Sequence, residues 1–125
     1  AISPFNYPIN LSCSKIAPAL ISGNSVVLKP STQGAISCIH IAELFMEAGI
    51  PQGVLSVVTG NSSEIGDYLV KHKDVDMVAF TGSTLVGKRI ASISGMKPLL
   101  MELGGKDAAI ILDDADLDLV VKECV

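Results

Sequence analysis

Met77-Val78-Ala79-Phe80-Thr81-Gly82-Ser83-Thr84-Leu85-Val86-Gly87 passes from a short apolar run, through a turn of hydroxyls and glycine, into a helical pattern that continues to about Ser94. Met77 to Phe80 has the length and apolar character of a buried strand, and Thr81 to Thr84 carries the residue types that open helices. Backbone N–H groups at such a helix start also face an anion such as a pyrophosphate, so Ser83 reads either as an ordinary cap or as a phosphate seat. The run Gly82 to Gly87 lacks the middle glycine of the G-x-G-x-x-G dinucleotide fingerprint.

The alternation extends in both directions. Upstream, Ala1-Ile2-Ser3 reads as a strand end and Pro8 to Leu20 as a helix with proline in its first turn. Ser25 to Leu28 is a short strand that stops at Lys29-Pro30, because proline cannot continue a ladder. From Gly34 to Gly49 the pattern is helical, with Cys38, Ile41, Ala42 and Phe45 at i, i+3, i+4 and i+7. Val54 to Val58 reads as a strand and Glu64 to His72 as a short helix. Downstream, Pro98 to Leu103 and Ala108 to Leu112 read as strands, and Asp116 to Val125 as the last helix. This order predicts an α/β fold, a parallel sheet with helices on both faces and a ligand site at the carboxyl ends of its strands.

Composition narrows the function classes. Hydrophobic residues make up 49%, aromatics 4%, and mean hydropathy is +0.51, which suits small-residue α/β packing and excludes disorder. A net charge of -4 and a pI near 4.9 lack the basic footprint of a nucleic-acid binder. No apolar run approaches the roughly eighteen residues of a membrane span. Three cysteines, an odd number without metal-ligand spacing, fit a reducing cytoplasm better than a disulfide framework. The chain opens without Met inside a motif and stops inside a helical pattern, so it is expected to be a piece of a longer protein.

Polar residues gather at the predicted strand ends: Asn6, then Lys29 and Thr32, Gly60 and Ser62, Ser83, and Glu102. In Met101-Glu102-Leu103-Gly104-Gly105-Lys106, a lone carboxylate between an apolar run and glycines suits a general base, and desolvation by Met101 and Leu103 is expected to raise its pKa. Asn6 offers an amide N–H to an oxyanion or serves as a helix cap. Lys29 reads as a phosphate or ribose ligand or as a surface lysine.

Taken together and in this order, six stretches resemble the aldehyde dehydrogenase superfamily. They are Ser3 to Pro8, Gly23 to Ser31, Glu47 to Val54, Phe80 to Gly87, Met101 to Lys106 and Asp113 to Asp118. The resemblance implies that residues 1–125 are a fragment of a Rossmann-like NAD(P)-binding domain. The parent would oxidise a small aldehyde through a thiohemiacetal and a thioester, as a cytoplasmic homo-oligomer needing no metal. It implies an oxyanion donor at Asn6, a water-activating base at Glu102, an adenosine-ribose contact at Lys29 and a pyrophosphate contact at Ser83. Ser3, Phe5, Ser31, Thr32, Ser62, Gly82, Leu103 and Gly104 complete the implied cofactor contacts. The family's nucleophilic cysteine falls beyond Val125; Cys13 and Cys38 lie in apolar helical patterns and read as small core residues, and Cys124 lacks the expected neighbours. The oligomerisation segments also fall elsewhere, and the fragment alone is expected to be inactive.

Position 32 bears on the cofactor. NAD-preferring relatives commonly carry a glutamate there; Thr32 beside Lys29 leaves room for a 2'-phosphate, so NADP is favoured and NAD remains possible. Lys29 to Gly34, Ser63 to Tyr68 and Gly95 to Pro98 resemble the NADP-dependent, non-phosphorylating glyceraldehyde-3-phosphate dehydrogenase branch, a glycolytic activity. In that branch the tyrosine matching Tyr7 helps hold the substrate phosphate. A semialdehyde or lactaldehyde dehydrogenase and a non-catalytic nucleotide-binding module are the alternatives. Asp113, Asp114, Asp116 and Asp118 read as a helix N-terminus rather than a calcium loop, because Leu119 stands where such a loop needs glycine.

Overall fold

In the computed structural model, which describes residues 1–124, β1 (Val26–Leu28) pairs in parallel with β2 (Leu55–Val57), and β3 (Val78–Thr81) with β4 (Leu99–Glu102). Between the two pairs lies Ile2, bridged in parallel to Lys29 on one side and to Phe80 on the other. The Ile2 N–H donates to the Ala79 carbonyl at 2.8 Å, and the Thr81 N–H donates to the Ile2 carbonyl at 3.1 Å. Across the other edge, the Lys29 N–H donates to the Ala1 carbonyl at 2.8 Å. The result is one parallel array in the order β2, β1, Ile2, β3, β4.

Side-chain alternation then assigns the helices to faces. Val26, Leu28, Leu55 and Ala1 pack with Ile16 of α1 (Pro8–Ile21) and with Cys38 and Ala42 of α2 (Ala35–Glu47). Val78, Phe80 and Ile2 pack instead with Val70 of α3 (Ser62–Lys71) and Ile90 of α4 (Thr84–Ile93). Successive residues Ala1 and Ile2 therefore feed opposite cores, and each face of the sheet is covered over one half. The expected α2 stripe is present, with Cys38 and Ala42 buried and Phe45 packed against the same cluster. Arg89 ties α4 to α3 through two bonds to Asp67, at 2.9 and 2.8 Å. Lys97 donates to the carbonyls of Val70 and His72 at 2.8 and 2.6 Å, satisfying the carboxyl end of α3.

Two expectations need correction. Ala108 to Leu112 forms no strand: the segment is exposed, Ile110 at 86%, and among the described residues no neighbouring strand supplies a ladder to it. Cys13 is half-buried rather than a core residue, because its side of α1 turns away from the buried stripe of Ser12, Lys15 and Ile16. The last helix, α5 (Leu117–Cys124), starts as expected, Asp116 Oδ1 accepting the N–H groups of Asp118 and Leu119; its predicted end at Val125 lies outside the described residues.

Leu28 is fully buried at the centre of the first core. Leu28→Ala is expected to lower the unfolding free energy by about 2–5 kcal/mol, and Leu28→Met by less than about 1.5 kcal/mol, read as shifts in the urea midpoint.

Candidate functional site

The carboxyl edge of the sheet carries two groups of polar residues. In the first, Lys29 follows β1 and is only 2% exposed. Its Nζ donates to the Pro30 carbonyl at 3.0 Å and to Ser62 Oγ at 2.9 Å, and among the described residues no carboxylate pairs with it. Burial lowers its pKa from the ordinary lysine value. Ser62 opens α3, where Asn61 accepts the Ser63 N–H. Ser31 Oγ accepts the Gly34 N–H at 3.1 Å and shapes the turn in which Thr32 stands exposed. Ser3 is buried beneath this turn, receiving a bond from Ser12 Oγ at 2.8 Å, while its carbonyl accepts the Ser31 N–H. A lysine at the strand end, a helix N-terminus and small hydroxyls thus converge on one place.

The second group surrounds Glu102 at the end of β4. Ser83 caps α4, its Oγ accepting the Val86 N–H at 3.3 Å, and Gly82 sits so close to Phe80 that a Cβ would lie 3.1 Å from ring Cε2. The Gly82 N–H donates to the Glu102 carbonyl at 3.0 Å, joining the two strand ends. Glu102 itself is exposed and Leu103 is 39% exposed, so the burial expected around this carboxylate does not come from these residues: β4 lies at the open margin of the array.

Sequence reasoning missed Lys15. It is the one charged side chain of α1, 8% exposed, and its Nζ donates to Thr81 Oγ1 at 2.6 Å and to the Leu11 carbonyl at 3.1 Å. It lines a recess with Glu102, Thr81, Leu11 and Leu103. Burial lowers its pKa, and the nearby Glu102 carboxylate opposes that shift. A single cation inside an otherwise uncharged helix was the available signal.

Phe5, Asn6 and Tyr7 form an exposed bend before α1. Tyr7 occupies the cap position and makes no side-chain cap bond, so Asn6 does not cap the helix. Among the described residues, no hydrogen bond joins these three side chains to Lys29 or Glu102. Cys38 is buried, 3.2 Å from Ser12 Oγ, and Cys124 is exposed on α5.

A parallel array with its polar residues at the carboxyl edge defines a Rossmann-like α/β fold. The whole chain, residues 1–125, matches the profile of the aldehyde dehydrogenase family, and it belongs to that family. It is 63% identical over 125 residues to the NADP-dependent glyceraldehyde-3-phosphate dehydrogenase of Streptococcus equinus, covering all of this chain and 26% of that protein. Its similarity to the Arabidopsis thaliana enzyme of the same name is 59% identity, again over 100% of this chain and 25% of that protein. A crystal structure of NADP-dependent glyceraldehyde-3-phosphate dehydrogenase from Bacillus halodurans C-125, complexed with NADP, superposes with a TM-score of 0.85. It is 56% identical and covers 97% of this chain and 25% of that one. The chain thus spans about a quarter of the length of these relatives.

The unpaired ammonium of Lys29 has a consequence for stability. Its folded pKa is lowered, so above that value and below the ordinary 10.5 the unfolded chain binds more protons, and stability rises with pH. Lys29→Met is expected to be more stable than wild type near neutrality, with the gap narrowing as pH climbs toward 10.5. Urea midpoints measured between pH 7 and 10 check this; a constant gap contradicts it.

Proposed function

We propose that this chain belongs to the cofactor-binding domain of an NADP-dependent aldehyde dehydrogenase that oxidises glyceraldehyde 3-phosphate to 3-phosphoglycerate without phosphorylation. The observation that carries the reading is Lys29: a buried ammonium, held by a carbonyl and the Ser62 hydroxyl, with no carboxylate to neutralise it among the described residues. Lysine has three donors, and two are used, so one N–H remains for a phosphate oxygen. The donor set therefore fits a phosphorylated dinucleotide. Thr32 in the following turn adds a hydroxyl and no negative charge. Ser3, Phe5, Ser31 and Ser62 would flank the adenosine side, and Gly82, Ser83, Leu103 and Gly104 the pyrophosphate and beyond, where the α4 N-terminus favours an anion.

When bound, NADP supplies the two-electron oxidant. The chain's own residues then have two tasks. Asn6 donates its amide N–H to the oxygen on which negative charge develops, and Tyr7 helps hold the substrate phosphate. Glu102 takes a proton from the water that releases the acyl group from a cysteine carried elsewhere in the protein. Lys15, facing Glu102 across the recess, keeps positive charge beside that carboxylate. The full protein is read as a cytoplasmic homo-oligomer.

Titration of the full-length protein with NADP and NAD tests the reading. Thr32→Glu is expected to weaken NADP binding roughly tenfold or more, about 1.4 kcal/mol, while sparing NAD. Indifference of NADP affinity to the charge at 32 contradicts the cofactor assignment. Intact-mass analysis after alkylation should find one reactive cysteine outside residues 1–125; finding none removes the catalytic reading.

A further inference from the structure

Residues 102, 103 and 104 dock one after another on the start of α4. The Glu102 carbonyl accepts the Gly82 N–H at 3.0 Å. Leu103 lies on Gly87: a methyl there would meet Leu103 Cδ1 at 2.9 Å and Cγ at 3.2 Å, and would come closer still to Cδ2. A methyl on Gly104 would lie 3.2 Å from Thr84 Oγ1. Gly87 is buried on an otherwise exposed stretch of helix, between Val86 and Lys88, and Leu103 lies over it. One turn back, the Gly87 N–H donates to the Ser83 carbonyl at 3.0 Å.

Gly87 needs glycine for a reason other than backbone conformation. It sits inside a helix with no positive φ, where alanine is the better helix former. Its missing Cβ is instead the seat of Leu103. We infer that Gly87 is a positioning residue, whose bare surface seats Leu103 and so sets the offset between Glu102 and the N-terminus of α4. The inference rests on the proposed roles of Glu102 as the water-activating base and of the α4 N-terminus as the pyrophosphate seat. A methyl at 87 displaces the Leu103 side chain from this seat, and the contact that packs the residue after Glu102 against α4 is lost. Displacement of a catalytic group by about 1 Å can lower a rate on the order of a hundredfold.

The test is a double-mutant cycle in the full-length protein: wild type, Gly87→Ala, Leu103→Ala and the double variant. For each, kcat and KM for glyceraldehyde 3-phosphate with NADP are measured, together with the thermal midpoint in the absence of cofactor. Gly87→Ala is expected to lose roughly ten- to a hundredfold in kcat, with KM little changed and the midpoint not lowered. With Leu103 cut back, the same change should cost no further kcat and should raise the midpoint, because helix preference then acts unopposed. Additive losses in kcat, or a midpoint that falls together with kcat, overturn the inference and leave the proposed function standing. A Glu102→Gln variant with wild-type turnover, or a wild type that oxidises no glyceraldehyde 3-phosphate with NADP, overturns the proposed function and this inference with it.

Discussion

Everything in this fold depends on the backbone hydrogen bonds of Ala1, Ile2 and Ser3, the first and last reaching Lys29 and the middle one reaching Ala79 and Thr81. β1 and β3 do not pair with each other; each pairs with the short segment between them, Ile2 bridging Lys29 on one side and Phe80 on the other. Without that rung there are two separate strand pairs, each backed by its own helices, and no shared sheet. With it there is a single array, and the alternation of Ala1 and Ile2 sends one side chain into each of the two helix-backed cores. The same rung sets the ends of β1 and β3 side by side, bringing the Lys29 group and the Thr81–Ser83 turn to one edge.

At that edge the molecule buries two cations, and among the described residues neither has a carboxylate hydrogen-bond partner. Lys29 bonds a carbonyl and a serine hydroxyl; Lys15 bonds a carbonyl and a threonine hydroxyl. Neutral acceptors fix the position of an ammonium without cancelling its charge, whereas a bonded carboxylate would leave little potential for an incoming anion. The burial of both ammonium groups is only partly offset by these bonds, and it lowers both pKa values. Such an arrangement leaves a preference for negative charge at Lys29, whereas Lys15 already has the Glu102 carboxylate near it. The two places differ, Lys29 opening onto a helix N-terminus and Lys15 onto the recess shared with Glu102.

Local signals carried most of the architecture. The Cys38 to Phe45 stripe, the Ser83 cap, the stop at Pro30 and the Asp116 cap are decided by residues within a turn of one another, so they are legible in sequence. Ala108 to Leu112 looks like a strand by the same local measure, yet a strand exists only with a ladder beside it, and none is present among the described residues. Glu102 shows the same limit: apolar neighbours in sequence do not bury a side chain on a margin strand. Lys15 and Thr81 lie 66 positions apart, and only the packing of α1 across the sheet brings them to 2.6 Å.

The absent middle glycine of the fingerprint has a counterpart where α4 meets the segment after β4. In Gly82-Ser83-Thr84-Leu85-Val86-Gly87, the position where the fingerprint has its second glycine holds Thr84. Thr84 Oγ1 lies where a side chain at residue 104 would begin, and residue 104 is glycine. The space a glycine would leave on the helix is left on the facing strand end instead. At Gly87 the exchange runs the other way, the helix giving up a side chain so that Leu103 has one. Helix and strand end thus meet as a pair of complementary steps, Thr84 over Gly104 and Leu103 over Gly87. In each step a side chain occupies the space its facing glycine leaves free, so helix and strand end approach closely at both.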